Sequence, residues 1–128
     1  MTVLTALAVA SGGAFGALSR YVVAGWVQSL TGDFFPWGTM AVNITGSAIL
    51  GFLMVWLQSA VTSPEVRQLI TIGFLGSFTT FSTFSYETIA MLRDGEWWRA
   101  GGYAAFSVVL GLFAVWLGMN VAEALLRR

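Results

Sequence analysis

The chain has 128 residues, 57% of them hydrophobic and only 9% charged, with a formal net charge of zero and neither cysteine nor histidine. A mean hydropathy of +0.79 excludes an ordinary water-facing globular surface, and the length allows one domain. The missing cysteines and histidines remove disulfides, zinc sites, thiol catalysis and imidazole proton relays together, so no enzyme is expected.

Charged residues punctuate long uncharged runs, and a helix needs about 20 apolar residues to cross a bilayer. Four spans are predicted, near residues 4–28, 39–60, 68–92 and 100–123, as a single all-α membrane domain of 1–128. The first run has no basic n-region and no clear cleavage site, so it is expected to be retained and not removed as a signal peptide. It contains Gly12, Gly13 and Gly16, and near its far end Arg20. Small residues at such spacings let helices approach closely in lipid. Arg20 by itself reads as a charge snorkelling to the headgroups. Thr31-Gly32-Asp33 with Pro36 marks the first turn.

The second span carries Asn43, Gly46 and Gly51. An asparagine at this depth reads as an interhelical hydrogen bond unless a polar path passes it. Thr62-Ser63-Pro64-Glu65 forms the next turn.

The third span differs in kind. It reads Ile72-Gly73-Phe74-Leu75-Gly76-Ser77-Phe78-Thr79-Thr80-Phe81-Ser82-Thr83-Phe84-Ser85-Tyr86-Glu87, and from Thr79 to Ser85 every residue is a hydroxyl or a phenylalanine. Two glycines followed by paired β-branched threonines weaken a helix, which predicts a break at mid-membrane. Unwound backbone there is tolerated only where protein or a hydrated cavity satisfies it; freed carbonyls suit a hard monovalent cation and half-helix N-termini an anion. Phe81 and Phe84 share one face, while Thr80, Thr83 and Glu87 follow an adjacent one. Aromatic rings carry a positive edge, so this pairing fits either packing or a small anion's path. Glu87 reads equally as a residue that merely ends the span.

Arg93-Asp94-Gly95-Glu96 makes the third turn. The fourth span carries Gly101, Gly102, Gly111 and Gly118, with Tyr103 and Ser107 one turn apart. Across the four spans Arg67, Arg127 and Arg128 fall on one side and Arg20, Arg93 and Arg99 on the other, a balance that gives no orientation preference. Insertion in both orientations is then open, and because four helices enclose a hydrated path poorly a dimer is expected; two antiparallel copies would reproduce the inverted-repeat geometry of transport proteins. A chance shift of one arginine accounts for the same balance.

The segment Gly73 to Ser85, GFLGSFTTFSTFS, resembles the signature of the bacterial fluoride channel (Fluc/CrcB) family. The similarity extends through Ser19-Arg20-Tyr21, Trp37-Gly38-Thr39, Val42-Asn43 and Glu87. It implies a fluoride-selective channel in the bacterial inner membrane that expels fluoride, built as an antiparallel dual-topology homodimer around one structural sodium ion. By the same resemblance the carbonyls of Gly76 and Thr79 hold the sodium. Asn43, Phe81, Phe84, Thr83, Glu87, Tyr103 and Ser107 line the fluoride path, and Arg20 stands at its vestibule. The partners so implied are fluoride, lipid and a second copy, with no nucleic acid. One departure is Gly76-Ser77 followed by Phe78, where the family commonly has two glycines and a leucine, which bears on the geometry of the sodium site.

Three other classes compete. A small multidrug-type transporter shares the four spans and dual topology, but its chemistry needs a carboxylate in the first span, where Arg20 is the lone charge. A scaffolding subunit needs no polar third helix. An intramembrane enzyme built on Ser82 or Ser85 lacks a base.

Overall fold

The computed structural model describes residues 2–60 and 62–127; Arg128, counted in the charge balance, lies outside them. Among these residues every regular element is helical. Helix α1 spans Val3–Thr31, capped by Thr2, whose hydroxyl accepts from the Thr5 amide. It ends at Gly32, whose φ of 77° with ψ of 178° is a combination that glycine, lacking a Cβ, adopts readily. Helix α2 follows as Trp37–Ser59. Helix α6, Trp97–Leu126, is the longest at 30 residues, about 45 Å at 1.5 Å per residue. These three are long and apolar enough to cross a membrane.

The third apolar run is divided. Ser63 caps α3, Pro64–Gln68, with Pro64 in its first turn, where a missing N–H costs nothing. A π-helical stretch, Leu69–Leu75, leads into α4, Gly76–Phe78. Thr79 and Thr80 then leave helical geometry altogether, at φ −87°, ψ 156° and φ −148°, ψ 113°. Helix α5, Phe81–Arg93, restarts with Thr80 as its cap, the Thr80 hydroxyl accepting from the Thr83 amide. The interruption therefore sits at the β-branched pair, while Gly76 itself stays helical at φ −62°, ψ −31°. A Thr that caps the next helix gains a side-chain acceptor for an orphan amide, and a glycine offers none.

Packing relies on glycine where backbones meet. A Cβ on Gly118 would collide with the Ala48 carbonyl and one on Gly51 with that of Val115, which fixes α6 against α2. Gly12 and Gly16 stand in the same relation to Leu69 and Phe74, so α1 seats the π-helical stretch. Gly101 and Gly102 have nothing within 4 Å and leave their face of α6 open. A cluster of Met40, Met91, Ala100 and Tyr103, flanked by Phe35 and Phe84, closes the end of the bundle where α1, α2, α5 and α6 meet their loops. Elsewhere large apolar side chains such as Leu7, Phe15, Val109, Leu112 and Trp116 point outward, the arrangement lipid requires and water opposes.

Candidate functional site

The site begins at the interruption. Asn43, on α2, takes both backbone groups of Thr80: its Nδ2 donates to the Thr80 carbonyl at 3.0 Å and its Oδ1 accepts from the Thr80 amide at 2.7 Å. In a continuous helix the Thr80 amide would donate to the carbonyl of Gly76, and the Thr83 amide to that of Thr79. The first now serves Asn43 and the second the Thr80 hydroxyl, so both carbonyls lose their helical donors. Freed backbone oxygens of this kind are the donor set a hard monovalent cation accepts. The departure Ser77 leaves that set unchanged, because the oxygens are main-chain. Ser77 instead faces Gly13, where a Cβ would come within 3.2 Å of its hydroxyl.

Below the clamp lies a cleft of about 380 Å³ lined by Asn43, Thr79, Thr80, Phe81, Phe84 and Ser107, with aliphatic and small residues of α6 closing its far wall. Phe81 and Phe84 are paired, ring centroids 5.7 Å apart and planes at 45°. Phe81 is 79% exposed, so one wall of the cleft is open. The Ser107 hydroxyl is buried and, among the described residues, has no hydrogen-bond partner. Asn43 retains one amide hydrogen beyond the bond to Thr80.

A second cleft, of about 320 Å³, shares Thr80 with the first and adds Thr83 and Arg20. The Arg20 Nε is buried there without a partner among the described residues. Across Thr39, Ala24 and Gly25 this cleft meets a third of about 460 Å³, bordered by Glu87, Gln28, Asp33, Asp94 and Arg99. Arg99 carries an ion pair to Glu96 at 3.5 Å and stands 4.2 Å from the Phe34 ring.

Glu87 and Tyr103 belong together. The Tyr103 hydroxyl donates to Glu87 Oε2 at 2.5 Å and the Thr39 hydroxyl to Glu87 Oε1 at 2.7 Å. Tyr103 is fully buried, its ring edge-on to Phe35 at 5.4 Å and tilted against Phe84 at 5.1 Å. Its single donor is committed to the carboxylate. The structure thus joins Asn43, Thr79, Phe81, Phe84 and Ser107 in one cleft, Arg20 with Thr83 in the next and Glu87 in the third. Neither Gly76 nor Tyr103 lines any of the three. Thr39, Gln28 and Arg99 went unassigned from sequence; Trp37-Gly38-Thr39 had marked only the entry to a span.

Among the described residues, three helices long and apolar enough to cross a membrane, an interrupted further apolar run and a series of adjoining clefts define the architecture of an integral membrane protein. Residues 7–119 match the family described as CrcB-like protein, Camphor Resistance (CrcB). The fluoride-specific ion channel FluC of Geotalea uraniireducens (strain Rf4) is 52% identical over 122 residues, covering 94% of this chain and 98% of that protein. Proteins of the same description from Geobacter sulfurreducens and Geobacter metallireducens are 48% and 46% identical, covering 94% and 95% of this chain and 98% and 99% of their own. The chain belongs to the CrcB-like family.

Proposed function

We propose that this chain forms a fluoride-selective channel that lets fluoride run passively down its gradient and so clears it from a bacterial cytoplasm through the inner membrane. The observation that carries the reading is the cleft beneath the interruption, where two paired phenylalanines face an amide and a hydroxyl that still have a hydrogen to give.

Each residue then has a task. Arg20 offers an unpartnered N–H and a positive charge beside the hydroxyls of Thr80 and Thr83, which draws an anion from water into the second cleft. Asn43 and Ser107 replace lost hydration by direct donation. The ring edges of Phe81 and Phe84 present weak positive potential without a tight bond, so the ion can leave again. A small hard anion gains most from close donors in a narrow path, and a larger halide forfeits them; this is the general logic of filters.

The open flank at Phe81 supports a second copy. With α3, the π-helical stretch, α4 and α5 together making the fourth crossing, an antiparallel partner would close the cleft and duplicate it. The carbonyls of Gly76 and Thr79, relieved of their helical donors, would hold a sodium ion at the centre of that homodimer. Bound there, sodium would neutralise the freed carbonyl dipoles of both copies. The cation-exporter reading gains nothing: Glu87 has both oxygens occupied by Thr39 and Tyr103, and α1 holds no carboxylate.

The test is efflux from proteoliposomes loaded with potassium fluoride or potassium chloride and triggered by valinomycin. Fast fluoride loss with chloride retained supports the channel; retention of both by assembled protein in sodium contradicts it.

A further inference from the structure

Gln28 stands outside the residues assigned above, yet its one side chain holds three backbone groups of the first turn. Its Nε2 donates to the carbonyls of Gly32 and Phe35, and its Oε1 accepts from the Gly38 amide at 3.1 Å. Helix α2 begins after Pro36 and has no side-chain cap of its own. Gln28 supplies the missing acceptor from the preceding helix, and the orphan amide of Gly38 is satisfied.

Two routes run from that clamp to the same carboxylate. Gly38 is followed by Thr39, 7% exposed, whose hydroxyl donates to Glu87 Oε1 at 2.7 Å. Gly38 itself has no room for a side chain against the Ala24 carbonyl, so the register of Thr39 is fixed from both sides. Phe35, held through its carbonyl, lays its ring edge-on at 89° against Tyr103, whose hydroxyl donates to Glu87 Oε2. Glu87 is thereby gripped at both oxygens by groups whose placement traces back to Gln28.

We infer that Gln28 and Thr39 are positioning residues that keep the Glu87 carboxylate turned into its hydroxyl partners and away from the passing anion. Neither touches fluoride in this account; both act through Glu87, and the inference rests on the channel reading above. A carboxylate released from these donors turns a full negative charge toward the clefts that join at Thr39, where it repels an incoming anion at short range and low dielectric. The same release frees the Tyr103 hydroxyl, so the track beside Phe84 changes at two points.

The experiment is fluoride efflux from proteoliposomes bearing Gln28→Met, Thr39→Val, Thr39→Ser and the Gln28→Met/Thr39→Val double variant, each first checked for dimer assembly by size exclusion. Gln28→Met and Thr39→Val are each expected to slow efflux on the order of tenfold, the scale of one hydrogen bond to a charged group. Thr39→Ser keeps the hydroxyl and is expected to return the rate to within about twofold of wild type. The double variant should fall well short of the product of the two single effects, because both converge on one carboxylate. Wild-type rates in both single variants, a Thr39→Ser rate no better than Thr39→Val, or fully multiplicative loss in the double variant would overturn the inference. Should Gln28→Met not assemble, the Thr39 pair decides alone. Wild-type protein that passes no fluoride overturns the channel reading and this one with it, whereas active wild type with unaffected variants overturns only this one.

Discussion

Asn43 and Thr80 form a two-bond clamp in which one side-chain amide replaces the helical partners of a single residue, donating at 3.0 Å and accepting at 2.7 Å. The interruption between α4 and α5 depends on it, because a broken backbone away from water must find other partners. Replacing Asn43 by Ala leaves an amide and a carbonyl unsatisfied, and a loss of about 2–4 kcal/mol follows from the usual cost of such groups. Unfolding of the purified protein in detergent measures it, and fluoride efflux should fall in parallel. An Asn43→Ala protein of wild-type stability would show that the clamp is dispensable.

Phe81 separates conduction from folding. At 79% exposure its ring contributes little to the subunit's own core. Phe81→Ile should leave subunit stability within about 0.5 kcal/mol, as for other substitutions away from packed sites. Efflux is expected to drop at least about tenfold, the equivalent of 1.4 kcal/mol at the barrier. Chemical unfolding of the dissociated subunit and efflux from the assembled protein check the two halves.

The glycines of α6 make a contrast within one helix. Gly118→Ala puts a Cβ into the Ala48 carbonyl and forces α6 off α2, with an expected loss of about 1–3 kcal/mol from overpacking. Gly101→Ala meets nothing within 4 Å and should be neutral or gain up to about 1 kcal/mol from helix propensity. Chemical denaturation of the two variants ranks them.

Sodium removal tests the freed carbonyls. With sodium replaced by a bulky organic cation during purification and assay, efflux and dimer stability are both expected to fall, and readdition of sodium to restore them. Potassium should restore them less, since the donors are few and their spacing is set by the Thr79–Thr80 interruption.

Much of this was legible in the sequence for a simple reason. Apolar runs between α1, α2 and α6 boundaries announce themselves by length, and Thr31-Gly32-Asp33 and Arg93-Asp94-Gly95-Glu96 mark real turns, with Gly32 and Gly95 at φ 77° and 80°. The hydroxyl and phenylalanine run stood out because aliphatics vanish from it, and Thr79, Thr80, Phe81 and Phe84 of that run line one cleft. The interruption falls at the β-branched pair Thr79 and Thr80 that follows the two glycines, but the partner that satisfies it, Asn43, lies 37 residues before Thr80 and has no local signal. The π-helical stretch has no periodic signal in the sequence; its close packing against α1 at Gly12 and Gly16 is visible only in the fold. Gln28 and Thr39 were silent for the same reason, as their roles exist only once the first turn brings Gly38 under Gln28 and α5 brings Glu87 to Thr39. Tyr103 by itself reads as an interfacial anchor, and its complete burial with the hydroxyl committed to Glu87 has no signal in the sequence.

The most direct test of the central claim is the reversal potential of current through the purified protein in a planar bilayer with potassium fluoride on one side and potassium chloride on the other. A fluoride-selective channel carries current by fluoride alone, with a reversal potential that follows the fluoride gradient and ignores chloride and potassium. A reversal potential that tracks potassium, or that stays unchanged when chloride replaces fluoride on both sides, would contradict it.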